Sequence, residues 1–272
     1  MKKKLILLLF SLASLPLFAQ EHFFELSLHV SGGGAVFQFA PHAGDVSTLF
    51  QAPSLGGNAG LGGTWLINSS VGLRTGVEMS IYRSEYTCEL LKAKDDNWEL
   101  IRHSAQKEYV EKYRGYYLQI PLMIQFQTSG EKNRLYAALG LKMGIPMDVT
   151  FEAKNSGAII YYVGGQENTD AFSTKGDLLL KTAFAGAVEV GMKWRLSDKM
   201  SLHSGVYVDL GLDDTKESGE LLPLIYQDGD RQGYKQNSIV NASYLDENDV
   251  PASTGKIVPF AAGLKVALSF GF

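Results

Sequence analysis

The side chains best suited to chemistry are acids and bases that recur at alternate positions between apolar residues. Their neighbours on the same side of each stretch are mostly Gly, Ala and Ser. Charges of both signs on one narrow face could form ion pairs, could carry protons or ions, or could catalyse acid–base reactions. The set holds four carboxylates, four cations and one imidazole: Glu25, Arg74, Glu78, Lys142, Glu189, Lys193, His203, Asp209 and Lys265.

The spacing of nucleophiles and metal ligands does not favour an active site. His203 and Ser204 are neighbours in an alternating stretch, so their side chains point to opposite faces and cannot act as a pair. His29 has no metal-ligand spacing with another histidine or with the single cysteine, Cys88. The glycine run 32–34 lacks the lysine of a phosphate-binding loop. We therefore expect no enzyme activity, no metal and no cofactor.

The stretch 258–272 shows most clearly what positions these residues. Every second residue from Phe260 to Phe272 is apolar, and the residues between them are small or polar. A period of two predicts a β-strand with two unlike faces, and at about 3.3 Å per residue it spans about 45 Å. Strands of globular proteins average about 5–6 residues, so this length indicates a tilted strand that crosses a membrane.

Seven earlier stretches repeat this pattern. The eight predicted strands are 23–30, 56–67, 71–82, 113–126, 134–147, 182–195, 200–212 and 258–272. The connections between them alternate between long and short, which is typical of outer-membrane barrels. The sequence therefore predicts an all-β fold, an eight-stranded antiparallel up-and-down transmembrane β-barrel with short periplasmic turns and long extracellular loops.

Two local features qualify this prediction. Pro121 lies inside the fourth stretch and lacks the N–H that a ladder needs, so we expect a β-bulge there. The segments 147–152 and 158–164 are also prone to form strands and would give a ten-stranded alternative, although they look too short to cross a membrane.

The N-terminus predicts export. Three lysines precede a short apolar run, and the sequence before Gln20 suits cleavage near Ala19. We expect a signal peptide at 1–19 and a single barrel domain at 20–272. Removing three of the 25 basic residues leaves seven fewer bases than the 29 acids, a balance that disfavours nucleic acid as a partner.

A soluble, lipocalin-like barrel is the alternative to a membrane barrel. Its solvated outer face would carry many more Lys, Glu and Thr than the small-residue faces found here. The apolar faces also gather aromatic residues toward the two strand ends, as in membrane barrels with two girdles. The short-turn end holds Phe24, Trp65, Phe126, Trp194 and Phe270, and the loop end holds Tyr116, Phe184 and Phe260.

Together with the eight strands, the stretch Y-L-Q-I-P-L-M-I-Q-F at 117–126 and the terminal S-F-G-F resemble the outer membrane protein beta-barrel domain, or porin family. The architecture is similar to OmpA/OmpX-type small barrels, and the resemblance covers the whole predicted mature chain. It implies a place in the outer membrane of a Gram-negative-type envelope, with outer-membrane lipid around the barrel. It also implies that Phe272 helps the barrel-assembly machinery to recognise the chain.

An eight-stranded barrel has an interior that side chains about fill, so we expect the inward charges to pair and plug the lumen. A narrow proton or ion path and a catalytic constellation remain alternatives. Charged substitutions at Leu139 and Val208 should block insertion, whereas Gly140 and Tyr207 should accept polar side chains.

The long loops contain strand-prone pieces, which we expect to form hairpins above the membrane. Two interpretations stay open: the loops are simply solvated, or they bind an extracellular protein or glycan. We expect a non-enzymatic barrel with a structural or binding role. The alternatives are a porin-like channel for small or hydrophobic solutes and an enzyme that acts on lipid or peptide.

Overall fold

A computed structural model gives the fold. It describes residues 24–39, 50–52, 54–88, 92–95, 98–102, 109–130, 132–157, 159–162, 165–168, 170–217, 222–223, 225–227, 234–245, 251–253 and 255–272. The predicted signal peptide at 1–19 and its cleavage site lie outside the described residues. Within these ranges, no helix is long and apolar enough to cross a membrane.

Eight long strands form the body of the molecule. They are β1 (Phe24–Phe39), β2 (Leu55–Leu66), β3 (Val71–Cys88), β4 (Tyr109–Gln127), β5 (Asn133–Asn155), β6 (Ala183–Arg195), β7 (Met200–Gly211) and β8 (Ile257–Gly271). Each strand pairs antiparallel with the next, and β8 pairs with β1. The ring is therefore closed and has no free edge, which confirms the predicted eight-stranded antiparallel barrel.

Eleven shorter strands occupy the long connections in the described part of the chain. They are Phe50–Ala52, Lys92–Asp95, Trp98–Arg102, Ile159–Tyr162, Gly165–Asn168, Phe172–Asp177, Leu222–Pro223, Ile225–Gln227, Tyr234–Gln236, Ala242–Leu245 and Pro251–Ser253. The first and sixth extend the barrel sheet, seven form a separate sheet and two pair with each other. Because Ile159–Tyr162 belongs to the separate sheet, the ten-stranded alternative is wrong.

The glycine run after Ser31 is part of β1, not of a loop as predicted. Gly33 lies opposite Gly263 of β8. A Cβ atom on Gly33 would lie 2.2 Å from the carbonyl oxygen of Ala262, so glycine allows the two backbones to approach closely. The same test shows that Gly140 cannot accept a polar side chain, because its Cβ would lie 2.1 Å from a backbone oxygen of β4. That expectation is wrong.

The predicted bulge is also misplaced. The register between β4 and β5 shifts between Tyr116 and Tyr117, whereas Pro121 sits opposite Lys142 in an unbroken stretch. The hydroxyl of Thr75 on β3 donates a hydrogen bond to the Pro121 carbonyl at 2.8 Å. The strand therefore loses one backbone donor at Pro121 but keeps its register.

The outer face of the ring is apolar and the inner face is polar. Leu139 is 52% exposed, Val208 43% and Leu264 68%, while the alternate residues of the same strands are mostly buried inside. Exposed aliphatic side chains continue around all eight strands, and we call this surface the apolar band. A continuous belt of this kind matches the lipid-facing surface of a membrane barrel.

The apolar band ends part-way along β3, β4 and β5. On the outer face of β3, Ile81 is followed by Arg83, and on β4 Tyr116 is followed by Arg114. On β5 the exposed Asp148 marks the same level, opposite Tyr116. Because charged residues replace aliphatic ones there, these three strands extend beyond the band into water.

The inner side of this extension holds a hydrophobic cluster, which we call the aromatic core. Its rings stack in tilted and edge-on pairs, with centroids 5.4 Å apart for Phe37 and Tyr82 and 5.5 Å apart for Tyr82 and Tyr117. Its buried members include Phe37, Tyr82, Tyr86, Tyr109, Tyr113, Tyr117, Val149, Phe151, Ile239, Val240 and Ile257. The barrel thus has two different interiors, one charged and one aromatic.

Candidate functional site in the lumen

All nine predicted polar residues project into the lumen. β1 supplies Glu25, β3 supplies Arg74 and Glu78, β5 supplies Lys142, β6 supplies Glu189 and Lys193, β7 supplies His203 and Asp209, and β8 supplies Lys265. Eight of them are at most 9% exposed, and the Glu25 side chain is 12% exposed. The alternation of each strand accounts for this placement, because inward positions follow one another at every second residue.

One group of charges lies around Lys142. Its Nζ atom is 2.9 Å from Oε2 of Glu78 and 2.8 Å from Oδ2 of Asp209, so a single ammonium joins two carboxylates. The same ammonium lies 5.8 Å from the centroid of the Tyr207 ring. Three strands, β3, β5 and β7, are thus connected across the lumen.

A second group lies around Glu189. Arg74 reaches both carboxylate oxygens, with Nη1 donating at 3.2 Å to Oε1 and Nη2 donating to Oε2. Tyr136 donates its hydroxyl to Oε1 at 2.8 Å. Lys265 joins the two groups, because its Nζ is 3.0 Å from Glu189 and 3.6 Å from Glu78.

We call these six linked side chains the lumen network: Arg74, Glu78, Lys142, Glu189, Asp209 and Lys265. The network holds three acids and three cations, so its formal charge is zero. Buried charges are costly unless they are paired and hydrogen-bonded. Each member of this network has an opposite charge within 4 Å.

The other three predicted residues lie outside the lumen network. Lys193 and Glu25 form a separate ion pair toward the short-turn end. His203 shares a hydrogen bond with the Ser269 hydroxyl, with Nε2 and Oγ 2.9 Å apart, and its ring packs edge-on against Tyr136. These contacts give His203 a packing role next to the network.

Sequence reasoning missed two contributors to the site. His29 lies on the inner face of β1, with Nε2 3.1 Å from Oε1 of Glu78. Tyr136 lies on the inner face of β5 and donates to Glu189. Their inward parity is visible in the sequence, but their partners depend on the order and stagger of the strands around the ring.

The cavity beside the lumen network is small. It measures about 20 Å³ and is lined by residues that include His29, Arg74, Glu78 and Glu189. A volume of this size holds about one water molecule. Side chains therefore fill the barrel at the level of the network.

The two ends of the lumen differ. The short-turn end widens into an open cavity of about 470 Å³, with charged groups from Glu25, Lys132, Arg134, Lys193, Arg195, Asp198 and Lys199. At the loop end, residues 235–242, which we call the capping segment, lie against the aromatic core. Ser238 Oγ is 3.4 Å from the Tyr113 hydroxyl, and Asn155 donates to Gln236 at 3.3 Å.

A buried carboxyl anchors the capping segment above the apolar band. Glu111 is fully buried, and its Oε2 accepts hydrogen bonds from the Tyr109 hydroxyl and from the Ile239 N–H, the latter at 3.0 Å. Burial raises the pKa of the Glu111 carboxyl, and the hydrogen bonds only partly offset that rise. The contact joins β4 directly to the last long loop.

The predicted aromatic girdle residues all lie on the outer face. Phe24 and Trp65 pack edge-on near the short turns, with centroids 5.8 Å apart, and the Trp194 indole donates to Ser204 at 3.0 Å. The others are Tyr116, Phe126, Phe184, Phe260 and Phe270. Phe272 is 75% exposed and its N–H donates to the Phe24 carbonyl at 2.9 Å. Their roles at the interface and in assembly stay predictions.

The geometry separates the residues that a hydrolase would need. His203 bonds inside the lumen, whereas Ser204 bonds on the outer face, so the two cannot act together. Among the described residues, no group of three or more His, Cys, Asp and Glu side chains could hold a metal ion.

Comparisons with known proteins give distant structural likenesses and one family match. The match to Neisserial surface protein A has 9% sequence identity and a TM-score of 0.38, and it covers 93% of this chain and 100% of that chain. The match to OprG from Pseudomonas aeruginosa has 9% identity and a TM-score of 0.40, and it covers 92% and 95%. The match to Ail, the attachment invasion locus protein of Yersinia pestis, has 11% identity and a TM-score of 0.30, and it covers 93% and 100%. Likenesses this distant support no argument about fold or activity, and no curated protein matches the sequence. The model of one family, however, matches residues 18–217, most of the chain. The chain therefore belongs to the outer membrane protein beta-barrel domain family.

Proposed function

We propose that the protein is a non-enzymatic outer-membrane barrel with a plugged lumen and a rigid surface platform for structural or binding roles. Its family implies an outer-membrane location. The lumen network is the observation that carries the proposal, because six charges link five strands across a space that holds about one water. Such an interior supports the barrel wall and leaves no path for a hydrated solute at that level.

The loop end supports the second half of the proposal. β3, β4 and β5 continue past the apolar band as one hydrogen-bonded sheet, and the aromatic core fills its inner side. Recognition loops carried on a rigid scaffold lose less entropy on binding than free loops do. The expected partner is an extracellular protein or glycan.

A porin-like channel is the second candidate, and the cavity at the short-turn end favours it. That cavity of about 470 Å³ would admit small solutes from one side. A channel would need the lumen network and the capping segment to move, because both lie between this cavity and the opposite side. No described contact favours the third alternative, an enzyme that acts on lipid or peptide.

Conductance in planar bilayers tests the proposal. The unmodified protein should show no steady current. The double variant Glu189→Ala with Lys265→Ala removes one acid and one cation from the lumen and should admit measurable current. The matched control, Glu152→Ala with Lys154→Ala, removes an exposed pair 3.3 Å apart and should stay silent. Large, stable currents from the unmodified protein would contradict the plug.

Export and assembly complete the proposal. Residues 1–19 would act as the cleaved signal peptide, residues 20–272 would form one barrel domain, and Phe272 would help the assembly machinery to recognise the chain. The exposed position of Phe272 supports access by that machinery. Mass spectrometry of the exported protein should give a mature N-terminus near Gln20, and Phe272→Ala should lower the amount of inserted barrel.

A further inference from the structure

Two arginines face each other at the upper edge of the apolar band. Arg83 of β3 lies directly opposite Arg114 of β4, and both are exposed on the outer face. The next outward pair toward the membrane is Ile81 and Tyr116, the last apolar pair of the band on these two strands. The arginine pair therefore sits where hydrocarbon gives way to lipid headgroups.

The carboxylates nearby are already engaged with other cations. Glu85 pairs with Lys112 at 3.1 Å, and Glu152 pairs with Lys154 at 3.3 Å. Within the described part of the chain, neither arginine of the pair has a carboxylate within 4 Å. The exposed Asp148, which lies one row lower on β5 opposite Tyr116, makes no such contact with them either. Like charges placed directly opposite on neighbouring strands destabilise the pairing, so this position is suited to an anion between them.

A cleft at this position provides the space. It measures about 220 Å³, and its charged lining consists of Arg83, Arg114, Lys112, Lys175, Glu85 and Glu152, an excess of two positive charges. Thr150, opposite Arg114 on β5, adds a hydroxyl to the lining. Guanidinium groups bind phosphate through paired hydrogen bonds, and the threonine hydroxyl can donate another.

We propose that Arg83 and Arg114 form a binding site for the phosphate group of an outer-leaflet lipid. The occupant is a lipid because the arginine pair lies one outward row above Ile81 and Tyr116 of the apolar band, so the acyl chains of the same lipid would lie against those two side chains. The site adds a specific lipid contact to the proposed function and depends only on the position of the apolar band, not on the plugged lumen.

Native mass spectrometry of the detergent-solubilised barrel with bisphosphorylated lipid A tests the site. The unmodified protein should retain this lipid and should bind the fully dephosphorylated form at least tenfold more weakly. Arg83→Gln or Arg114→Gln should each weaken binding about fivefold, as expected for one cation beside an anionic lipid surface. The control Lys132→Gln removes the same charge from an exposed position in the short turn between β4 and β5, at the opposite end of the barrel, and should leave binding unchanged.

Three results would overturn the site. They are equal retention of the dephosphorylated lipid, loss of binding in Lys132→Gln as large as in Arg83→Gln, and displacement of the lipid by an equimolar amount of inorganic phosphate. The last result would show a free-anion site instead of a lipid site. The comparison of the two lipid forms uses the unmodified protein, so it decides the question even where a variant fails to fold.

Discussion

The barrel encloses two interiors of opposite polarity, one charged and one aromatic. Within the apolar band, aliphatic side chains point outward and the lumen network fills the inside. Above the band, charged residues such as Arg83 point outward, and the aromatic core fills the inside. The same strands run through both regions with the same alternation of inward and outward side chains. The surrounding solvent therefore decides whether the outward or the inward side chains are polar. Lipid surrounds the first region and water surrounds the second.

The largest expected effect comes from leaving charges unpaired in the lumen. Glu189→Ala leaves Arg74 and Lys265 without their nearest acid, and breaking a buried ion pair costs about 3–5 kcal/mol. The free energy of unfolding, from urea titration in lipid vesicles, measures the loss. Glu152→Ala removes an exposed acid above the band and should cost under about 1 kcal/mol. Equal losses in the two variants would erase the distinction between the regions.

A charge on the outer face should matter only within the band. Leu139→Arg places a cation against lipid and should cost about 2–4 kcal/mol, with reduced insertion into vesicles. Thr87→Arg makes the same outward change on β3 above the band and should insert normally. The fraction of folded protein, seen as altered gel mobility before heating, gives the readout. Normal insertion of Leu139→Arg would place that face away from lipid.

Two tyrosine hydroxyls sharpen the comparison further. Tyr136 donates to a lumen carboxylate, so Tyr136→Phe should destabilise the barrel by about 1.5–3 kcal/mol. The Tyr117 hydroxyl is buried in the aromatic core and has no hydrogen-bond partner among the residues that the structure describes, so Tyr117→Phe should be neutral or stabilising. The same urea titration measures both, and the reverse order would contradict the assigned contacts.

The smallest effect concerns the capping segment and depends on pH. The pKa of Glu111 is raised above its usual value of about 4.5 in the folded state, so the folded cap binds a proton more readily than the open one. The contribution of Glu111 to the stability of the closed cap is complete at pH values below about 4.5, the usual pKa of the carboxyl. This contribution is lost as the pH rises through the raised pKa of the folded state. Amide hydrogen exchange at Ile239 should quicken over that range, beyond the intrinsic pH effect. Glu111→Gln should remove the added dependence, and an unchanged dependence would contradict this assignment.

The sequence predicted the barrel region much better than the region above it. Apolar and polar residues alternate along every membrane strand. The number of strands and the set of inward-facing residues could therefore be predicted from this alternation. The segment 147–152 was expected to form a strand above the membrane and does so at the end of β5. The continuation of β3 beyond residue 82 was missed because the apolar positions change face near Ile81, which resembles the end of a strand. Tyr109, Tyr113 and Tyr117 recur on one parity and were the available signal.

Contact partners in the lumen could not be predicted from one sequence. Arg74 and Glu189 are 115 residues apart and meet only because of the strand order and stagger in the closed ring. The capping segment has no periodicity, and its burial depends on a carboxyl in β4. The bulge expected at Pro121 is absent because pairing with the two neighbouring strands keeps the register there. These contacts outweigh the loss of one backbone hydrogen-bond donor.

The change of solvent along a single strand can be measured directly. Spin labels at Ile124 and Lys112, both on the outer face of β4, would lie about 40 Å apart along the strand, in protein whose Cys88 is replaced by Ser. In vesicles, the label at Ile124 should collide mainly with dissolved oxygen, and the label at Lys112 mainly with a water-soluble nickel chelate. The same accessibility at both positions would contradict the account.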